Sequence, residues 1–239
     1  MTDPTVIAID WSGAKGPGRH GGIWLCAKDS DGELSRGRWA RAEVVDYVMS
    51  MAAPLVVGFD FSFGLPAWFA REQGCVTIDD VWALAEREAD RWLKPTSPFW
   101  DSKGTQPEAD RRFRRCEDRM RLDRREKPTS VFQLVGPSQV GKGSVLGMPH
   151  LARLRAAGFA IWPFDPPGER TVLEIYPTLL RNHSVHHDDG PWTRNDERDA
   201  VVPARVMWDE RETIAALHAA IDPTHRLEGD IWAPTPPQS

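Results

Sequence analysis

Four carboxylates stand where carboxylates are costly. Asp10 closes the apolar run TVIAID, and Asp60 closes PLVVGFD. Glu174 lies inside TVLEIYP, and Asp199 lies in DERDAVV, just after a plausible helix start. Asp and Glu are poor strand residues and expensive to bury unpaired. A single strand-end acid is ordinarily a turn or capping residue, but three in separate β-rich segments call for a common explanation. If those strands are neighbours, their carboxylates converge, and the simplest stabiliser of such a cluster is a divalent cation. Oxygen-only donors select Mg²⁺ or Mn²⁺. Such ions activate water and steady the leaving oxygen of a phosphodiester. The expected catalytic set is therefore Asp10, Asp60, Glu174 and Asp199, with Asp10, Asp60 and Asp199 as metal ligands.

Groups suited to phosphate lie close to these acids and in one basic run. Ser12, two residues after Asp10, and Ser62, two residues after Asp60, place hydroxyls in the turns that follow the acids. Residues 111–127, RRFRRCEDRMRLDRREK, hold nine Lys/Arg and four Asp/Glu in a chain of net charge −5. This local excess suits a polyanion, with Arg111, Arg112, Arg114 and Arg115 holding phosphates. The plain alternative is a solvated helix with i,i+4 ion pairs. GPSQVGK (136–142) matches half of a phosphate loop. It lacks the following Ser or Thr, and GSVLGMP is a poor helix opener, so it reads as a flexible loop with Lys142 as a point charge. HSVHHDD (183–189) has metal-ligand residue types but reads as a solvated loop. Cys116 reads as a packed residue. Most tryptophans read as packing, with Trp11 and Trp68 as possible base-stacking platforms.

These residues need a scaffold. TVIAIDW, GIWLCAK and ELSRGRW read as three strands of a meander, with DSDG as a tight turn. Residues 41–53 have helical spacing at Val44, Val45 and Val48. PLVVGFDF is the next strand. Residues 66–127 read as helical with a break at 94–108, and SVFQLV (130–135) as a strand. A helix is predicted at 149–158, strands at 159–165 and 171–177, and a C-terminal helical region at 195–220 interrupted by Pro203. The tail offers one short strand. The expected order β-β-β-α-β is a ribonuclease H-like opening, in which strands one and four lie side by side and Asp10 faces Asp60.

The segments IAIDWSGA (8–14), GFDFSFGLP (58–66), FRRCEDRMR (113–121) with SVFQLVG (130–136), LEIYPTLL (173–180), DERDAVVPA (196–204) and LEGDIWAP (227–234) together resemble a widespread family of uncharacterised proteins predicted to be nucleases of the ribonuclease H fold. The resemblance spans nearly the whole chain. It implies a single α/β domain over 1–239: a mixed five-stranded sheet flanked by helices, with a mostly helical insertion at about 66–130 after strand four. It also implies acidic site residues at Asp10, Asp60, Glu174 and Asp199.

Composition bounds the rest. With 239 residues and 41% hydrophobic side chains, the chain can bury a core without disulfides or structural metal. Net charge −5 excludes a uniformly basic nucleic-acid binder. No run of about 18 apolar residues occurs, no secretory leader is evident, and three widely spaced cysteines suit a reducing compartment, so a cytoplasmic protein is expected. The leading expectation is a Mg²⁺- or Mn²⁺-dependent nuclease acting on nucleic acid or a nucleotide-like phosphate, leaning to small or single-stranded substrates. The alternatives are a nucleotide-binding or phosphotransfer protein, using loops 10–16 and 136–144, and a non-enzymatic scaffold.

Overall fold

A computed structural model describes residues 3–13, 22–102, 104–123, 126–136, 139–183 and 190–234. Three strands open the chain: β1 (Thr5–Asp10), β2 (Ile23–Lys28) and β3 (Glu33–Trp39). Helix α1 (Arg41–Ser50) leads to β4 (Leu55–Phe59). Three helices follow: α2 (Ala67–Glu72), α3 (Ile78–Trp92) and α4 (Arg115–Asp123). Helix α5 (Val140–Ala156) leads into β5 (Ala160–Ile161) and β6 (Arg170–Glu174). The chain ends with α6 (Pro177–His183), α7 (Asn195–Asp209), α8 (Arg211–Ala215) and α9 (His225–Glu228).

The strands form one six-stranded sheet in the order β3-β2-β1-β4-β6-β5. β1 pairs antiparallel with β2 and parallel with β4, and β4 pairs parallel with β6. The sheet exceeds the expected five strands because the two-residue β5 adds an edge beside β6. The longer strand expected at 159–165 stops there because the chain turns back: the Asp165 carboxylate accepts from the Ile161 amide at 3.0 Å.

Helices cover both faces, which explains why β1 and β4 are apolar at nearly every position. Ile7, Ile9, Leu55, Val57, Phe59 and Val172 join one core with residues of α1, α2, α3 and α5. Val6, Ala8, Val56 and Leu173 join a second core with α6, α7 and α8. Odd-numbered β1 and β4 residues thus face the α5 side and even-numbered ones the α7 side, the period of two every strand imposes. Gly58 lets α7 approach closely, since a β-carbon there would stand 2.8 Å from Met207 Sδ.

Four expectations change. GPSQVGKGSVLG is not a loop through to 147, because α5 begins at Val140 and absorbs the helix expected at 149–158. Its glycines are contact points: a β-carbon at Gly141 would meet the Gln133 and Val131 carbonyls at 2.6 and 2.7 Å, and one at Gly147 would meet the Phe61 ring at 2.7 Å. SVFQLV does not join the sheet. It turns at 131–132 and pairs its backbone with Trp100, through Trp100 N–H to Phe132 O and Leu134 N–H to Trp100 O. Pro203 does not interrupt the last long helix, which runs unbroken from Asn195 to Asp209. The tail strand is a single bridge from Ile231 to Glu174.

Candidate functional site

Backbone pairing brings the first two acids together. Ile9 is in register with Phe59, and the Asp60 amide donates to the Ile9 carbonyl at 3.0 Å. Asp10 and Asp60 therefore stand side by side at the C-terminal ends of adjacent parallel strands, about 5 Å apart along the hydrogen-bonding direction. Both are even-numbered, so both face the α7 side. In open α/β sheets this edge is the usual place for a ligand.

Helix α7 supplies the opposite wall. Asp196 and Asp199 are three residues apart in its first turns and so share a face. Acids here also suit the positive end of the helix dipole. Asp10, Asp60, Asp196 and Asp199 line one cavity of about 430 Å³. Ser12, Tyr176, Thr178, Gln139 and Gly143 complete much of its wall. The Gly143 side is held by Trp11, whose indole donates to the Gly143 carbonyl at 3.0 Å. Gly13 fits there only because it has no side chain: a β-carbon would lie 2.7 Å from Lys142 Cβ.

The electrostatics record the crowding. Burial, reinforced by the charge of Asp196 and opposed by Arg181, pushes the Asp10 carboxyl up to about 7. Burial first, then Asp10 and Glu174, push Asp60 well above the usual carboxylate range, again against Arg181. Neither carboxylate accepts a hydrogen bond among the described residues. Asp199, by contrast, accepts from Arg181 Nη1, and Arg181 Nη2 donates to Thr178 Oγ1 at 3.1 Å.

Glu174 does not belong to this cluster. It is in register with Phe59, which faces the α5 core, so its side chain leaves the sheet on the face opposite to Asp10 and Asp60. There it accepts from the Phe63 amide at 2.8 Å and from Arg114 Nη1 at 2.8 Å. Its other oxygen accepts from Arg114 Nη2. Glu174 is thus a buried counter-ion of Arg114 that lies outside the cavity lining, while its charge still reaches Asp60.

The expected phosphate-holding arginines are also spent elsewhere, and none lines the cavity. Arg114 is fully buried between Glu117 and Glu174. Arg111 pairs with Glu72 at 2.5 Å and lies 3.8 Å over the Trp68 ring. Arg112 donates to the Pro107 carbonyl at 2.7 Å, and Arg115 pairs with Asp222 at 2.8 Å. Ser62 is buried, its amide donating to Ser144 Oγ at 2.9 Å, and it is not a wall residue. Lys142 sits in the first turn of α5 outside the cavity lining. Ser12 does line the cavity, and its carbonyl accepts from Arg41 at 3.0 Å.

Trp11 packs against Phe59 and Phe61 and also lines the cavity, whereas Trp68 packs against Phe69 and Phe132. All three cysteines are buried free thiols. Residues 14–21 and 137–138, within the two glycine-rich segments, and 184–189 of the histidine tract lie outside the described residues.

The sequence reading missed Asp196, Arg181 and Thr178. Asp196 carried a signal, since it sits three residues before Asp199 in a segment with helical character. Arg181 carried none, because its partner comes from another helix.

The donor chemistry of Asp10, Asp60, Asp196 and Asp199 is all carboxylate oxygen and suits Mg²⁺ or Mn²⁺. Among the described residues, no three His, Cys, Asp or Glu side chains are grouped so as to hold a metal ion. Asp10 and Asp60 provide a converging pair, and Asp199 is engaged by Arg181. No helix of the described residues is long and apolar enough to cross a membrane. Comparison of the chain with protein families, curated proteins and solved structures finds no match in any of the three.

Proposed function

We propose that this chain is a metal-dependent phosphodiester hydrolase built on a ribonuclease H-like core. The observation that carries the reading is the pair Asp10 and Asp60: two carboxylates on neighbouring parallel strand ends, facing the same way into a cavity, with no hydrogen bond to satisfy either among the described residues. Burying two carboxylates without hydrogen-bond donors is costly, and a bound cation would offset that cost. A strand order that sets the first and fourth strands in parallel contact supports the ribonuclease H-like assignment, as does the resemblance carried by the segments from IAIDWSGA to LEGDIWAP.

A divalent cation at this site would polarise a phosphoryl oxygen and ease the attack of water. Asp10 and Asp60 would hold it, with Asp199 or Asp196 completing the donors from α7. Ser12 and Thr178, both in the cavity wall, offer hydroxyls to orient a phosphate. The cavity lies within the range of small-ligand pockets. Among the described residues, Arg111, Arg114 and Arg115 are engaged in ion pairs, and none of them lines the cavity. The favoured substrates are nucleotides or short single-stranded ends.

The test is hydrolysis of end-labelled single-stranded oligonucleotides and of a chromogenic phosphodiester. Wild type and Asp60→Asn would be compared with Mg²⁺, with Mn²⁺ and with EDTA. Cation-dependent turnover that Asp60→Asn abolishes supports the assignment. Equal turnover in both proteins, or turnover that persists in EDTA, refutes it.

A further inference from the structure

We propose that Arg181 is the built-in counter-ion of the carboxylate cluster, holding Asp199 until a divalent cation displaces it. This rests on the cation-binding reading above and adds a positioning residue to it.

The geometry is specific. Arg181 projects from α6 to α7, donating through Nη1 to Asp199 Oδ1 and through Nη2 to Thr178 Oγ1 at 3.1 Å. Asp199 and Thr178 both line the cavity, so the ion pair forms part of its wall. The two side chains are 20% and 28% exposed, a setting dry enough for the pair to hold and wet enough for it to exchange. The same guanidinium is the positive charge that opposes the elevation of Asp10 and Asp60. Three acids thus lean on one cation supplied by the protein.

Asp10 and Asp60 would hold a cation, and Asp199, on the α7 part of the same cavity wall, is the further acid whose carboxylate is already engaged. An Asp199 oxygen that accepts from Arg181 is a poorer donor to a metal. Metal and guanidinium therefore compete for the same negative charge. Competition of this kind is a coupling free energy and acts equally in both directions. Arg181 keeps the cluster folded when no metal is bound, and by doing so weakens metal binding.

The experiment is titration of Mn²⁺ alone into wild type, Arg181→Gln and Arg181→Lys by calorimetry, with melts of each protein in EDTA. Arg181→Gln is expected to melt lower in EDTA yet bind Mn²⁺ more tightly, by roughly five- to hundredfold, the usual span of such couplings. Arg181→Lys keeps the charge but loses the two-pronged grip on Asp199 and Thr178, and is expected to fall between the two. A purely structural Arg181 would lower the melting temperature without tightening Mn²⁺. Arg181→Gln binding Mn²⁺ as wild type does, or more weakly, overturns the proposal and leaves the cation-site reading standing. Mn²⁺ binding to none of the three proteins overturns both. If Arg181→Gln fails to fold, Arg181→Lys decides: tighter binding than wild type supports the competition, and equal or weaker binding refutes it.

Discussion

Replacing Asp10 by Asn should make the metal-free protein more stable, an unusual outcome for a polar residue at a strand end. The folded protein pushes the Asp10 carboxyl from 3.8 to about 7, chiefly by burial. Above pH 7 the unfolded chain loses this proton freely, whereas the folded chain carries a charge it disfavours. The full difference amounts to about 4 kcal/mol of destabilisation, at 1.36 kcal/mol per tenfold shift. Asp10 is only half-buried at the strand end, so solvent screening lowers the working figure to about 2 kcal/mol. Asn has nearly the same shape, and Asp10 accepts no hydrogen bond among the described residues that Asn would lose. For a chain of this length the gain corresponds to a rise in Tm of about 4–8 °C.

The pH dependence fixes the cause. A raised carboxyl pKa means that wild-type stability is lost as pH rises from about 4 to about 7. The gap between Asp10→Asn and wild type should be near zero at pH 3.5, open through that window, and stay level above it. Melts in EDTA from pH 3.5 to 8.5 measure it. Taking the difference between the two proteins cancels every other titrating group to first order. With saturating Mg²⁺ or Mn²⁺ the order should reverse or narrow: a ligand at a hundredfold its Kd adds about 2.7 kcal/mol to wild type and nothing to a variant that cannot bind it. An Asp10→Asn protein less stable than wild type at pH 8 in EDTA, or a gap independent of pH, would refute the argument.

Glu174→Gln should cost about 2–4 kcal/mol, because it leaves the fully buried Arg114 with Glu117 as its remaining carboxylate partner. Denaturant unfolding checks this, and the Mn²⁺-induced rise in Tm should survive, unlike that of an Asp10 or Asp60 variant. Gly141→Ala should lose about 1–3 kcal/mol through overpacking against the Gln133 and Val131 carbonyls, as read from its urea midpoint. His150 is held down to about 4, first by burial and then by Arg153 and Arg41. Its contribution is complete above pH 6.5 and is lost as pH falls toward 4, so His150→Gln should flatten the acid side of the stability profile. NMR titration of the His150 ring should show no protonation down to pH 5.

How much of this was legible beforehand differs from residue to residue. The apolar runs ending in Asp10 and Asp60 marked two buried strands with acids at their ends, and the order of elements made those strands neighbours. Helix α7 was visible as a helical segment, with Asp196 and Asp199 at a spacing that shares a face. The glycine-rich start of α5 was not, because Gly and Pro weigh against a helix when counted locally. Packing overrides that preference: the glycines are where the helix meets Phe61 and the 131–133 turn. The arginine run was legible as charge but not as ion pairs, because the acids that spend it lie up to 111 residues away in sequence, as Asp230 does from Arg119.

Glu174 marks the boundary most sharply. The period of two along a strand determines which residues of that strand share a face, so composition and alternation alone put Val172 and Glu174 together. They do not say which face of the neighbouring strand that is. Register decides it, by setting Glu174 beside Phe59 rather than beside Asp60. The sequence by itself determined which acids sit at strand ends. Tertiary structure decided which of them meet, because two carboxylates converge only when register and side-chain alternation agree.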